Sequence, residues 1–122
     1  MILSNNNRIL VNSNKIVETT SLVYDTDALV FISAISATSI THKLAINELV
    51  TDLKAFNLWN KMTAIYPIIG GTATAHKYNL KDPRDLDAAY RLVFNGGWTH
   101  SATGAQPNGT TGYADTKVVP ST

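Results

Sequence analysis

The pattern of apolar positions divides the chain into a helical middle with short apolar clusters on either side. A stripe with three- and four-residue spacing runs through Ile46, Leu49, Val50, Leu53 and Phe56. This spacing places the side chains on one face of a helix, which we predict over residues 39–62, with a bend or restart after Asn57. A second helix is predicted over residues 25–36, where Asp25 or Thr26 is in position to cap it.

Residues 1–24 combine small apolar clusters with stretches rich in Asn, Ser and Thr. β-branched residues are frequent there, which favours one to three short strands or an extended arm. The clusters are too small to form a core by themselves, so we expect this arm to bury them against the rest of the chain or another subunit. The candidate attachment residues are Ile9, Leu10, Val11, Ile16, Val17, Leu22 and Val23.

Residues 63–122 are rich in Gly, Thr and Pro and predict a small β-rich part. Three strands are predicted: residues 64–69, which Pro67 interrupts, residues 90–94 and residues 113–119. Residues 72–80 are predicted as a strand or loop, and residues 84–89 as a short helix capped by Asp82. Turns are predicted at residues 95–97 and 107–109. The fold class expected for the whole chain is therefore α+β, with an extended arm (1–24), a helical segment (25–62) and a β-rich segment (63–122).

Composition narrows the function classes. Charged residues make up only 16% of the chain, against about 25% in a typical domain. The net charge of +1 comes with no basic run, so we expect no nucleic-acid partner. The absence of cysteine excludes disulfides and thiolate metal sites. Because no apolar stretch reaches about 18 residues, a membrane-spanning helix is not expected.

Candidate chemistry is sparse. The three histidines, His42, His76 and His100, form neither an HxH nor an HExxH pattern, so we expect no metal and no cofactor. Asp82, Asp85 and Asp87 alternate as calcium ligands do, but the EF-hand glycine and glutamate are missing. The adjacent Pro83 favours a helix start instead.

Nucleophilic catalysis has equally little support. Ser101, His100 and Asp115 supply the residue types of a catalytic triad, but no GxSxG elbow accompanies them. We therefore expect no enzyme. Among the aromatic residues, Trp59 is expected in the core, and Trp98 is the candidate for an exposed sugar-stacking ring, although packing is favoured there too.

The second half of the chain carries a long and specific run of motifs. It includes Ala64-Ile65-Tyr66-Pro67, Gly70-Gly71-Thr72-Ala73, His76-Lys77, Asn79-Leu80-Lys81-Asp82-Pro83-Arg84-Asp85-Leu86-Asp87-Ala88-Ala89 and Asn95-Gly96-Gly97-Trp98-Thr99-His100-Ser101. With the preceding helix, this run resembles a group of phage and prophage virion proteins that occur in phages of Bacteroidetes-type hosts. In that group the segment leads into a jelly-roll-like domain of concanavalin or laminin-G type, which implies that residues 63–122 are an incomplete jelly-roll.

The resemblance implies a structural component of a bacteriophage virion, such as a fibre, a spike or a tail or head appendage. Its arm would anchor it to other virion proteins and to further copies of itself, and it would be assembled in the host bacterial cytoplasm. The alternative is a carbohydrate-binding module for host adsorption, with Trp98 in contact with a host glycan.

Overall fold

The computed structural model describes residues 23–121 and has a mixed α+β architecture, as predicted. Two helices, α1 (Thr26–Ala34) and α2 (Ile40–Ala55), are followed by a 3-10 turn at Trp59–Lys61 and a short helix, α3 (Ala73–His76). A second 3-10 turn, Asp87–Ala89, precedes the strands β1 (Val93–Asn95), β2 (Trp98–Ser101), β3 (Gly104–Pro107) and β4 (Tyr113–Asp115).

Both long helices begin where the sequence provides a cap. The Asp25 carboxylate accepts a hydrogen bond from the Asp27 backbone N–H at 2.8 Å, and the Ser39 hydroxyl accepts one from His42 N–H at 3.4 Å. These bonds satisfy backbone donors that have no partner within the helix. α2 ends at Ala55, and Asn57 takes a left-handed φ of +60°, so the helix breaks where the sequence predicted a bend or restart. Beyond this break only the 3-10 turn at Trp59–Lys61 continues the predicted helical stretch.

The core lies between α1 and α2 and extends to residues beyond them. Its buried members are Ala28, Phe31, Ile32, Ile35, Ile46, Val50, Trp59, Ala75 and Leu80. Six of the nine, Ala28, Phe31, Ile32, Ile35, Ile46 and Val50, are apolar positions whose helical spacing predicted the two helices. The other three, Trp59, Ala75 and Leu80, follow α2 in the sequence. Trp59 is buried as expected, although it sits on the 3-10 turn and not on α2 itself.

The segment between the helices and the strands differs from the prediction. Residues 64–69 form no strand, and residues 72–80 contain α3, whose start is capped by the Thr72 hydroxyl accepting from Ala75 N–H at 3.1 Å. Asp82 does not cap the predicted helix over residues 84–89. Only the 3-10 turn at Asp87–Ala89 forms there, after Leu86 and without a side-chain cap, while Asp82 binds Arg84 instead.

The strands of the described region form two antiparallel pairs, β1 with β4 and β2 with β3. The chain bends at Gly96, within the predicted turn of residues 95–97, but Asn95 still belongs to β1. No hairpin forms there, because β1 and β2 belong to different pairs. The predicted strand over residues 90–94 is shorter at its start, because Tyr90 takes a φ of +58° and β1 begins only at Val93. The predicted strand over residues 113–119 ends at Asp115, shortly before Lys117, which has a φ of +61°.

Candidate functional site

The predicted attachment residues fall almost entirely in the part of the chain that the structure does not describe. Ile9, Leu10, Val11, Ile16, Val17 and Leu22 lie outside the described residues. Val23 is described, and its side chain is 80% exposed immediately before α1.

Exposed apolar side chains are concentrated on the helical segment. Within residues 23–121, twelve large apolar side chains are exposed, and nine of them lie between residues 23 and 62: Val23, Leu29, Val30, Ile40, Leu44, Leu49, Phe56, Leu58 and Met62. α1 is apolar on nearly every side, yet only Ala28, Phe31 and Ile32 are buried on it. A helix with apolar residues all round is usually enclosed by protein, so the outer side of α1 is a candidate contact surface.

Trp98 is packed and not freely exposed. Its indole N–H donates to the Asn95 carbonyl at 3.0 Å and approaches the Tyr113 carbonyl at 3.3 Å. Its ring meets the edge of Phe94 at 4.9 Å between centroids and stacks on His100 at 6.0 Å. Trp98 therefore joins β1, β2 and β4, as the packing interpretation of the sequence anticipated.

The fold brings together two histidines that the sequence placed in separate loops. His76 ends α3 and is only 1% exposed, while His100 lies on β2. Their Nδ1 atoms are 2.9 Å apart. Burial lowers the pKa of His76, and repulsion from His100 lowers it further. The two histidines are 24 residues apart in the sequence, and no local sequence pattern predicts a contact over that separation.

The alternating carboxylates Asp82, Asp85 and Asp87 belong to ion pairs with basic side chains. Asp85 binds Lys77 at 2.6 Å and Arg91 at 2.7 Å, and Arg91 also binds Asp87 at 2.8 Å. The hydrogen bonds from Lys77 and then from Arg91 hold the pKa of Asp85 below its usual value. The carboxylates are thus distributed over basic side chains and do not point at one common centre, which supports a structural role for them.

The three residues considered for a catalytic triad each have another partner. The Ser101 hydroxyl bonds to the Thr103 hydroxyl at 2.9 Å, His100 faces His76, and Asp115 binds Lys117 at 3.0 Å. A triad requires the three side chains to bond to one another in series. The observed bonds do not place them in such a series.

A cleft of about 360 Å³ opens beside the helical segment, lined by Asp27, Lys54, Asn57, Trp59 and Asn60. The Lys54 amine binds Asp25 at 2.8 Å and Asp27 at 2.7 Å. The two charged side chains that line the cleft, Asp27 and Lys54, are therefore already paired with each other.

The sequence analysis did not single out Asn79, which is completely buried. Its Oδ1 accepts from Ile65 N–H at 2.9 Å and from Lys81 N–H at 3.0 Å, and its Nδ2 donates to the Ala89 carbonyl at 3.0 Å. A polar residue in a loop is ordinarily exposed, so its burial became visible only in the fold.

No protein-family model, curated protein or solved structure matches this chain. Among residues 23–121, no group of three or more His, Asp or Glu side chains converges on a point where a metal ion could bind. None of the helices in that region is both long and apolar enough to cross a membrane.

Proposed function

We propose that this chain is a structural component of a bacteriophage virion, a fibre, a spike or a tail or head appendage, that works by contact with other proteins. The arm of residues 1–24 anchors it, its partners are other virion proteins and further copies of the same chain, and it catalyses no reaction. The motif run of residues 64–101, which resembles phage virion proteins, supplies the virion part of this proposal.

The exposed apolar surface of α1 carries the contact part of the proposal. Leu29 is 46% exposed and Val30 is 50% exposed on a helix in which only Thr26, Asp27 and Ser33 are polar. Covering such side chains contributes roughly 25 cal/mol for each Å² of apolar area removed from water. The exposed Val23 lies just before this helix, at the junction with the apolar clusters of the arm. In this proposal, the arm of a neighbouring copy covers this surface of α1.

The first experiment tests assembly through α1. The full chain and a Leu29→Lys, Val30→Lys double variant are compared by sedimentation velocity, with Ser33→Lys as the control on an exposed position of the same helix. We expect the wild type and the control to form the same oligomer and the double variant to dissociate with unchanged helix content. A monomeric wild type, or an oligomer that survives the double substitution, contradicts contact through α1.

The second experiment tests the virion itself. Particles purified from the phage that encodes the chain are digested and analysed by quantitative mass spectrometry. We expect its peptides at a fixed ratio to those of the major capsid protein. Absence of the chain from washed particles would contradict the proposal whatever its oligomeric state.

The carbohydrate-binding alternative depends on Trp98 and has less support, because the indole N–H and ring of Trp98 are engaged by Asn95, Phe94 and His100. A glycan array separates the two functions. Binding that disappears in a folded Trp98→Ala variant favours the alternative, whereas no binding by the wild type removes it.

A further inference from the structure

The contact between His76 and His100 joins α3 to the hairpin formed by β2 and β3. His76 is buried at the end of α3, and its Nδ1 lies 2.9 Å from Nδ1 of His100 on β2. Near the same place, the backbone of Gly71 passes close to Ala102 at the hairpin tip, so that a Cβ on Gly71 would lie 3.6 Å from the Ala102 nitrogen. The histidine contact is thus part of the interface that holds the hairpin against α3.

The hydrogen bonds define the tautomer of each ring. The Gly71 backbone N–H donates to Nε2 of His76 at 3.1 Å. Because a backbone N–H can only donate, this Nε2 carries no proton, and the neutral His76 ring must carry its proton on Nδ1. That N–H then donates to Nδ1 of His100, whose own proton lies on Nε2. One combination of neutral tautomers satisfies both hydrogen bonds.

Adding a proton to either ring removes one of these bonds. On His76 the proton would occupy Nε2 and point at the Gly71 N–H. On His100 it would occupy Nδ1 and point at the Nδ1–H of His76. In both cases two donors face each other at hydrogen-bond distance, and a positive charge is added where His76 is shielded from water.

Within residues 23–121, the elements next to the pair offer no free carboxylate to stabilise that charge. Residues 73–75 of α3 are Ala, Thr and Ala, and β3 consists of Gly, Ala, Gln and Pro. The other residues of β2 are neutral, and β1 contributes the Phe94 ring, 4.6 Å from the His100 ring. Lys77 follows His76, but its amine binds Asp85. Asp85 and Asp87 are in turn bound by Arg91.

The same hydrogen bonds argue against a metal at the pair. A metal on Nδ1 of His76 needs that nitrogen without a proton, while Nε2 already accepts from Gly71. The His76 ring would then carry no proton on either nitrogen, whereas a ligating histidine ordinarily donates its second N–H to an acceptor. The geometry of the pair therefore favours a response to protons over metal binding.

We infer that His76 and His100 form a pH-sensitive contact that holds the β2–β3 hairpin against α3 at neutral pH and releases it in acid. The hydrogen bond from Asn108 N–H to the Gly97 carbonyl (2.9 Å) and the pairing of β1 with β4 do not involve either histidine. Release therefore separates the hairpin from α3 locally and leaves the helical core in place.

The pH range follows from the histidines. The lowered pKa of His76 means that the closed contact binds protons less readily than the open one. The contact is unaffected above the ordinary histidine pKa of about 6.5 and weakens as the pH falls below that value. If His76 takes up a proton only when the contact is open, the opening constant rises by up to about tenfold per pH unit below 6.5.

NMR on the full wild-type chain tests the tautomers and the opening. Long-range ¹H–¹⁵N correlation at pH 7.5 should show His76 with a protonated Nδ1 and a bare Nε2, and His100 with the reverse. Amide hydrogen exchange should show a lower protection factor of Gly71 at pH 5.5 than at pH 7.5, by up to about tenfold for one histidine that takes up a proton only in the open state. A protonated Nε2 on His76, or equal protection of Gly71 at both pH values, overturns the inference.

Two variants assign the pH dependence. His100→Asn puts an amide oxygen where Nδ1 of His100 accepts, so the contact should persist with the pH dependence of His76 alone. His42→Asn removes a half-buried histidine in the first turn of α2 and should leave the wild-type dependence unchanged. Loss of the dependence in His42→Asn, or a full wild-type dependence in His100→Asn, contradicts the assignment to this pair. The wild-type measurements decide the question if a variant does not fold.

Discussion

Replacing Asn79 with leucine removes the side chain that joins three backbone segments. The Asn79 amide is fully buried and binds the backbone of Ile65, Lys81 and Ala89 through bonds of 2.9, 3.0 and 3.0 Å. Leucine has a similar volume but neither donates nor accepts a hydrogen bond. The substitution therefore leaves the Ile65 N–H and the buried Ala89 carbonyl without their partner.

The cost follows mainly from the Ala89 carbonyl, because Ala89 is fully buried. Leaving one buried acceptor unsatisfied lowers the free energy of unfolding by about 1–3 kcal/mol. That is a substantial part of the roughly 5–15 kcal/mol by which domains are usually stable. The N–H groups of Ile65 and Lys81 add less, because both residues are only half-buried and water can replace the amide oxygen.

Urea unfolding followed by tryptophan fluorescence measures this cost. With a slope of about 1–2 kcal/mol per molar urea, we expect the midpoint to fall by at least about 0.5 M. Asn60→Ala, which truncates an exposed amide, is the matched control and should change the midpoint little. If Asn79→Leu is as stable as this control, the role we assign to Asn79 is wrong.

Two further predictions concern a turn and an ion pair. Gly96→Ala should destabilise the protein by about 2–4 kcal/mol in the same urea assay, because φ at Gly96 is +76° and a Cβ would overlap the Thr111 carbonyl. Gly109→Ala is the control: φ is +84° there, but the space around its Cβ is open, so it should cost clearly less. Equal costs for the two variants would contradict the steric reason. Lys54→Met should cost under about 1 kcal/mol at pH 7, since the ion pair is partly exposed. The Lys54 hydrogen bond lowers the pKa of Asp25, so its contribution is present above about pH 3.9 and is lost as the pH falls through the lowered pKa. A deficit that persists unchanged at pH 2 would contradict this account.

The two long helices were predictable because their signals are local. Capping by Asp25 and Ser39 and the three- and four-residue spacing of the apolar side chains depend on neighbours within a few turns. The α+β class and the bend at Gly96 were predictable for the same reason. The break at Asn57 lies where a bend or restart was predicted, but the apolar spacing did not show that only a 3-10 turn follows it.

The sequence by itself thus determined the class of the fold, the starts of its main helices and the scarcity of catalytic motifs. Only the tertiary structure decided that Asp82 binds Arg84 instead of capping a helix, that Trp98 is packed among Phe94 and His100, and that His76 meets His100. These outcomes depend on contacts between residues that are distant in sequence or on competition between nearby partners. Periodicity and capping describe a residue's neighbours along the chain, whereas the proton on a histidine is placed by whichever groups the fold brings within hydrogen-bond distance.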